Sequence, residues 1–486
     1  MLFNSYEFIL LFLPIMLIIY FVINRQGYHI LAKSWLIIGS LFFYSWWNIK
    51  YLPLILTSII VNYSAGIWLA KTDLSMAGRR RIILAAGIIF NVGLLSYFKY
   101  ADFFITNINA LLPIHLTPLG IILPLSISFF TFQQIAYQVD IYRGNTRGEY
   151  SLLNYSLFVV FFPQLIAGPI VHYWEMMGQF KDPERKLPRF DNLSRGLFLF
   201  ALGLAKKVLI ADTFGVWANF GYGDVASLTL VDAWITSLSY TMQLYFDFSA
   251  YTDMALGAAM MFNINLPINF NSPYKSLNIQ EFWRRWHITL GRFLRMYIYI
   301  PLGGNRGGKW NVYRNLMITF LVGGLWHGAA WTFVFWGFLH GLALVVHRIW
   351  HEMGYKMNRI LAWFLTFNFV NFAWVFFRAE SFGDALTVLS AMAGMNGIVI
   401  PQTWAPYLSK PGAGTYLIGE IAMSQYLAQT IPMLLIFMVV VLTMKNSIEL
   451  TVKFKPGLIN SIFIAIIMVA SILNLTRISE FLYFNF

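Results

Sequence analysis

Two histidines in this sequence stand where an imidazole could carry out chemistry. His327 lies within "GGLWHGAAW" (323–331), inside an apolar run long enough to cross a membrane, and His287 closes "FWRRWH" (282–287). An imidazole exchanges protons near neutral pH, so it can take a proton from a hydroxyl group. His327 is therefore a candidate general base, although a buried histidine can also serve only as a hydrogen-bonding group.

The residues around these histidines could bind a ligand. Trp326 can form the wall of a pocket, and Gly328 leaves room for a group that approaches the histidine closely. Arg284 and Arg285, with Lys275 in the same basic segment, could hold phosphate groups. Those phosphates could belong to membrane lipid or to a nucleotide-like cofactor or carrier.

Several charged residues interrupt the apolar segments. Lys206 and Lys207 lie inside one apolar stretch, shortly before Asp212, while Asp247 and Asp253 lie on different faces of the next predicted helix. Ionisable groups within a membrane are costly and are usually paired or functional. We expect structural ion pairs here, with at least one lysine paired outside its own helix.

The composition is typical of a polytopic membrane protein. Hydrophobic residues make up 58% and charged residues 11% of the 486-residue sequence, whereas soluble proteins carry roughly 25% charged residues. The net charge of +13 comes from loop Lys and Arg that meet lipid headgroups, with no nucleic-acid-binding motif. The absence of cysteine excludes a thiol nucleophile, and no spacing suggests a metal site. We expect membrane lipids around the chain, and neither nucleic acid nor a bound metal.

The elements that position the histidines are predicted to be helices. Apolar segments and the positions of Lys and Arg predict about ten spans, with both termini outside the cytoplasm. A stretch at 155–177, broken by Pro163, Gly168 and Pro169, predicts a re-entrant element, and the basic segment 263–315 predicts interfacial helices. The N-terminal segment is expected to be a retained first span and not a signal peptide.

The segment around His327 has two possible structures. Its apolar run extends from Leu316 to Ile349, too long for one ordinary span, and Arg314 and Arg348 flank it. Two half-helices that meet at the glycine-rich break would place both arginines on the cytoplasmic side and the histidine well inside the bilayer. A single long tilted helix is the alternative.

This layout predicts a class of reaction. A cytoplasmic basic and aromatic region leads towards a histidine at mid-membrane depth, which suits acyl transfer across the membrane from a thioester. A transporter or flippase for a lipid-linked saccharide is the alternative, with the intramembrane charges as its substrate path. The sequence contains none of the internal repeats of many transporters, which favours the enzyme.

Long stretches of the sequence resemble the membrane-bound O-acyltransferase (MBOAT) family, in particular its branch of alginate O-acetylases and peptidoglycan O-acetyltransferases. They begin "YFDFSAYTDMALGAAMM" (from 245) and "NLMITFLVGGLWHGAAW" (from 315), and "FFPQLIAGPIVHY" (161–173) is similar to the same branch. The resemblance implies an all-α polytopic membrane protein, with about ten to eleven transmembrane helices plus re-entrant and interfacial helices around a central funnel and tunnel. It implies one domain, 1–486, with a catalytic core at about 155–350.

The resemblance also implies roles for residues of the site. His327 becomes the essential base, and His287 becomes a second polar position. The reaction it implies is transfer of an acetyl group from a cytoplasmic thioester. The donor is acetyl-CoA or a thioester on a small carrier protein, and no cofactor is bound permanently.

The fate of the acetyl group follows from the same resemblance. A separate periplasmic SGNH-type esterase-like partner places it on a polysaccharide outside the bacterial inner membrane. The resemblance leaves alginate, peptidoglycan and other polymers as alternative acceptors. The aromatic tail at 477–486 ends "EFLYFNF" and is similar to tails proposed to pass the acyl group through a tyrosine. This makes Tyr483 an acyl relay, with an interfacial aromatic belt as the alternative.

Overall fold

The computed structural model of the chain describes residues 1–145, 150–402, 417–419, 421–475 and 481–482. Helices make up nearly all of the regular secondary structure in this described part, which confirms the predicted all-helical class. The exception is a pair of three-residue strands, β1 (Val399–Pro401) and β2 (Leu417–Gly419), which pair in parallel.

The first third of the chain forms α1 (Leu13–Arg25), α2 (His29–Ser45), α3 (Leu52–Lys71), α4 (Ala77–Leu95), α5 (Ala101–Leu111) and α6 (Ile127–Tyr142). Apolar length and flanking charge predict a span at 82–98 and a further one at 117–140. A π-helical turn at Ser96–Tyr100 joins α4 to α5 without a break, so the first helix extends beyond 82–98. The second stretch is helical only from Ile127. Pro124 lies shortly before that start. Proline has no backbone N–H, so it would remove a hydrogen bond from the interior of a longer helix.

The segment predicted to be re-entrant is broken, as its prolines and glycine indicate. It consists of α7 (Leu152–Val160), α8 (Phe162–Leu165) and α9 (Tyr173–Lys181), with irregular backbone between the last two. Every residue from 157 to 172 is buried. Irregular backbone at membrane depth needs this shielding, because lipid cannot satisfy its polar groups. The side of the membrane on which the segment begins and ends stays a prediction.

The next helices are α10 (Phe190–Ala205), α11 (Asp212–Gly223) and the 32-residue α12 (Leu230–Met261), which is buried over most of its length. A π turn at Lys206–Ala211 joins α10 to α11. Glycines bring α10 and α12 close together: a Cβ added to Gly257 would lie 2.6 Å from the Gly196 carbonyl oxygen. Small residues allow such contact between helix backbones in membranes.

Both histidine motifs lie on the four helices that follow: α13 (Ile279–Arg285), α14 (Ile288–Leu294), α15 (Lys309–His327) and α16 (Trp331–Glu352). Because α15 ends at His327 and α16 starts four residues later, the predicted break is confirmed and a single long helix is wrong. At about 1.5 Å per residue, α15 and α16 are roughly 28 and 33 Å long. They pack through Gly324 and Gly337, where added Cβ atoms would clash with the facing backbone.

The last α-helices are α17 (Arg359–Arg378), α18 (Phe382–Met392), α19 (Leu427–Thr443), α20 (Ser447–Lys453) and α21 (Leu458–Leu473). A capping box formed by Ser381 and Asp384 starts α18. The sequence of 377–395 predicts one amphipathic helix. The structure has the shorter α18 there, and positions 377 and 378 belong to α17.

Six helical stretches of the described residues are long and apolar enough to cross a membrane: Glu7–Arg25, Ile49–Lys71, Ala77–Leu111, Trp331–Glu352, Arg359–Arg378 and Ser424–Thr443. The chain is thus a multi-span membrane protein. The larger predicted number of spans, the central funnel and the orientation of the termini remain predictions.

Candidate active site

His327 occupies the C-terminal end of α15, in a buried aromatic pocket. Its side chain is 3% exposed, and Gly328 leaves the helix in an extended conformation directly after it. The rings of Trp326, Trp336 and Phe377 lie with centroids 4.9, 5.1 and 5.2 Å from the imidazole, all close to perpendicular. The pocket is therefore apolar on three sides of the base.

The structure brings His287 next to His327, although forty positions separate them in sequence. The two ring centroids are 6.4 Å apart, and His287 is fully buried. His287 lies between α13 and α14 with a left-handed backbone conformation (φ +43°, ψ +54°). For a residue other than glycine this conformation costs roughly 1–3 kcal/mol and marks positions that the surroundings hold in place.

Asn269 holds the strained turn at His287. Its carbonyl oxygen accepts the N–H of Ile288 at 3.0 Å, and its side-chain oxygen accepts the Thr289 hydroxyl at 2.7 Å. Phe248 packs against the imidazole with a centroid distance of 4.7 Å. The left-handed turn thus aims the second histidine into the pocket of the first.

Lys99 binds the C-terminal end of α15, a role that the sequence analysis did not predict. Its ammonium group donates hydrogen bonds to the carbonyl oxygens of Trp326 at 2.6 Å and His327 at 3.1 Å. The neighbouring Tyr100 hydroxyl donates to the Leu325 oxygen at 2.8 Å. A helix C-terminus carries partial negative charge, so a cation there is stabilising. In the sequence, the indication that Lys99 has a role is its position as a single lysine at the end of an apolar span.

His340 is a third buried histidine in the same region. It lies on α16, fully buried, and its Nδ1 accepts the indole N–H of Trp283 at 3.2 Å. Its ring centroid is 4.7 Å from that of Trp336. Its contacts are therefore with the tryptophans that surround the pocket.

A basic cavity of about 920 Å³ opens near this pocket. Its lining includes Arg284, Arg292, Arg295 and Arg348, with Trp283, Thr319 and Phe320 among its apolar and hydroxyl-bearing members. Arg292 pairs with Glu175 and Arg348 with Glu352, whereas in the described part of the chain Arg284 and Arg295 form no ion pair. The lining therefore has positive charge left over for an anionic ligand.

Tryptophans connect the cavity to the histidines. Trp283, which lines the cavity, lies 5.8 Å from Trp336 by ring centroids, and Trp336 in turn contacts His327. Two packed indole rings therefore lie between the arginines of the cavity and the base.

The other predicted ligand-binding residues lie elsewhere. Arg285 pairs with Glu281 at 2.9 Å, and Lys275 donates to the Met444 oxygen at 2.6 Å. Neither residue lines the cavity that contains Arg284.

Tyr483 lies outside the described residues, but the two positions before it are described. Phe481 is 2% exposed and stacks on Tyr251 at 4.5 Å. The Leu482 N–H donates to a carboxylate oxygen of Asp247 at 3.0 Å. Phe481 and Leu482 thus lie in the protein core beside α12.

The two lysines in the apolar span form buried ion pairs, as predicted. Lys206 lies 2.7 Å from Asp253, and Lys207 lies 2.7 Å from Asp247 and 2.8 Å from Asp212. The π turn explains the last contact, because its i to i+5 hydrogen bonding places residues five apart on one face. Both lysines therefore tie α10 and α11 to α12.

One face of α12 carries buried polar groups at helical spacing. Thr236, Tyr240 and Gln243 precede Asp247 on this face, and in the described part of the chain no partner reaches the hydroxyl or amide oxygens of these three. Buried polar atoms without partners indicate water or a ligand. This face packs against α11, where Gly215 and Gly221 leave room for Gln243 and Thr236.

These features define a class: an integral membrane protein in which a buried pair of histidines lies two indole rings away from a basic cavity, an arrangement suited to transfer of a group from an anionic donor. Residues 145–382 match the sequence profile of MBOAT, the membrane-bound O-acyltransferase family. A peptidoglycan O-acetyltransferase of Helicobacter pylori is 46% identical over 520 aligned positions, which cover 100% of this chain and 98% of that protein.

Two other relatives extend the comparison. A probable alginate O-acetylase of Pseudomonas aeruginosa is 40% identical, covering 81% of this chain and 75% of its own length. A teichoic acid D-alanyltransferase of Bacillus subtilis is 27% identical, covering 55% and 72%. The chain belongs to the membrane-bound O-acyltransferase family, and it is an O-acyltransferase.

Proposed function

We propose that the protein is an O-acetyltransferase of the bacterial inner membrane. It takes an acetyl group from a cytoplasmic thioester, acetyl-CoA, and passes it across the membrane for O-acetylation of an extracytoplasmic polysaccharide. The observation that carries this proposal is the position of His327, buried beside His287 and two rings away from a basic cavity. The names of the relatives, which act on peptidoglycan and alginate, support the polysaccharide as acceptor.

His327 acts as general base in the proposed reaction. Its imidazole takes the proton of the acceptor hydroxyl while the hydroxyl oxygen attacks the thioester carbonyl carbon. The carbon–sulfur bond then breaks, and the leaving thiolate receives that proton from the imidazolium. His287 positions the reacting groups from the other side of the pocket.

The donor's phosphates belong at the basic cavity. Arg284 and Arg295 offer guanidinium groups without an ion-pair partner in the described residues, and guanidinium binds phosphate in bidentate fashion. Arg285 and Lys275 already bind protein groups, so we place them next to the donor site and outside it. Trp326 contacts the acetyl end of the donor.

The acceptor reaches the site from the opposite side. We assign Tyr483 as the hydroxyl that first receives the acetyl group, because Phe481 and Leu482 already lie in the core close to α12. A periplasmic SGNH-type partner then transfers the acetyl group to the polysaccharide. An alginate-like exopolysaccharide and peptidoglycan both fit this scheme.

The test uses purified protein in liposomes that contain acetyl-CoA labelled in the acetyl group. The wild type should release label from CoA in the presence of the partner and polysaccharide, and His327→Ala should release none. His115→Ala, at an exposed histidine, is the matched control and should behave as wild type. Label that stays on CoA with the wild-type protein, or release by correctly inserted His327→Ala, contradicts the proposal; transport of a lipid-linked saccharide without thioester consumption indicates a flippase.

A further inference from the structure

Two indole N–H groups beside His327 lack a hydrogen-bond acceptor among the described residues. Trp326 is 4% and Trp336 1% exposed, and both rings contact the imidazole. Within the part of the chain that the structure describes, no acceptor reaches the Nε1 atom of either residue. A buried tryptophan normally pairs this group, because desolvating an unpaired donor costs free energy.

Several tryptophans elsewhere in the protein pair their N–H groups. Trp234 donates to the Met392 oxygen at 3.0 Å, and Trp363 donates to the Tyr274 oxygen at 3.0 Å. The unpaired indole donors of Trp326 and Trp336 both lie against the base.

We propose that the N–H groups of Trp326 and Trp336 form the oxyanion site of the acyl transfer. This inference rests on the proposed function. When the acceptor oxygen attacks the thioester carbon, the carbonyl π electrons move onto the oxygen, and both indoles donate hydrogen bonds to it. When the carbon–sulfur bond breaks, the pair returns to the carbonyl and the thiolate takes the proton from His327. Donors arranged in advance in a site without water stabilise such a charge strongly.

The last turn of α15 does not supply these donors. The pocket lies at the C-terminal end of α15, where a helix presents carbonyl oxygens and not N–H groups. The N–H of Gly328, the next residue, points back to the Gly324 oxygen at 3.4 Å. The two indoles are side-chain N–H donors in contact with the imidazole.

The first test removes the N–H groups while keeping apolar rings in place. Trp336→Phe and Trp326→Phe should each lower kcat by about 10²–10³-fold, as loss of one oxyanion donor does in other enzymes, with little change in KM for acetyl-CoA. Incorporating a benzothienylalanine at position 336, which replaces only the N–H by sulfur, should give the same loss of kcat with an unchanged melting temperature. Wild-type kcat in the benzothienylalanine protein would overturn the proposal.

The matched control is Trp234→Phe. Its N–H bonds to a backbone oxygen far from the pocket in sequence, so this variant should lose thermal stability and keep its kcat. The opposite pattern, in which position 336 loses stability in proportion to kcat, would show a role in packing and would also overturn the proposal.

The second test observes the hydrogen bonds directly. An unreactive acetyl-CoA analogue, with a methylene group in place of the sulfur and a ¹³C-labelled carbonyl, is bound to the full-length protein. Infrared spectra should show the carbonyl stretch shifted to lower frequency in the wild type and back towards the free value in the benzothienylalanine protein. Equal frequencies in both proteins would refute the indole contacts. An analogue that fails to bind the wild type would refute the proposed donor, and this inference with it.

Discussion

Replacing Lys99 by methionine should disable the enzyme without unfolding it. Methionine keeps much of the length of the side chain and removes the ammonium group that holds the Trp326 and His327 oxygens. Both oxygens belong to the last turn of α15, which carries the base. The variant therefore loosens the backbone of His327 while leaving its side chain and the pocket rings in place.

The contacts set the size of the effect. A hydrogen bond from a charged donor contributes about 1.5–3 kcal/mol, and a cation at a helix C-terminus about 0.3–2 kcal/mol. Because Lys99 is half-buried and its two carbonyl contacts overlap with the helix-end effect, we expect a loss of about 2–3 kcal/mol in the free energy of unfolding. A displacement of the base by about 1 Å costs roughly 10²-fold in rate, so kcat should fall by about that factor.

The assay measures acetyl release from labelled acetyl-CoA in liposomes, alongside thermal unfolding of the same preparation. Lys99→Arg, which keeps a charged donor, should retain most of the activity. Tyr100→Phe removes only the neutral hydrogen bond to Leu325 and should cost about 1 kcal/mol with a smaller effect on kcat. Wild-type kcat in Lys99→Met would refute the argument that the ammonium group positions the base.

Three further predictions follow from the packing and the charges. Gly337→Ala places a Cβ 2.3 Å from a backbone oxygen of α15 and should cost about 1–3 kcal/mol of stability, whereas Gly93→Ala, with open space around it, should cost nothing; melting temperatures compare the two. Lys207→Met removes the cation that pairs with the buried carboxylates of Asp212 and Asp247, so it should lower the free energy of chemical unfolding by about 3–5 kcal/mol. Adding Asp247→Asn should restore part of that loss. Arg295→Gln should raise KM for acetyl-CoA by about 10-fold with an unchanged kcat, and unchanged KM would exclude a phosphate contact there.

Apolar length and helix breakers predicted most of the helices. The break between α15 and α16 follows from glycines inside an overlong apolar run, and the irregular 166–172 stretch follows from Gly168 and Pro169. The start of α6 was placed too early, because apolar character continues through a proline-containing stretch that does not become helical. Hydrophobicity reports burial in membrane or protein, and it does not report backbone conformation.

The candidate site was predicted only in part, for a different reason. His327 and His287 are visible in their motifs, but Lys99 acts on a helix end more than two hundred residues away, which only packing reveals. Arg295 was one basic residue among many in its segment until the fold placed it in a cavity with Arg284. Spacing arguments also assumed regular α-helix, in which Lys207 and Asp212 are poorly aligned, whereas the π turn aligns them.

The position of the base at a helix C-terminus creates an electrostatic problem that Lys99 resolves. The last carbonyls of α15 give that end partial negative charge, which would oppose the oxyanion that forms beside His327. Lys99 binds the two nearest of these carbonyls and, in its protonated form, places positive charge there. The indoles of Trp326 and Trp336 can then stabilise the oxyanion in a field that no longer repels it. On this reasoning the effects of Lys99→Met and of removing an indole N–H should be coupled, so the double variant should lose less activity than the product of the two single losses.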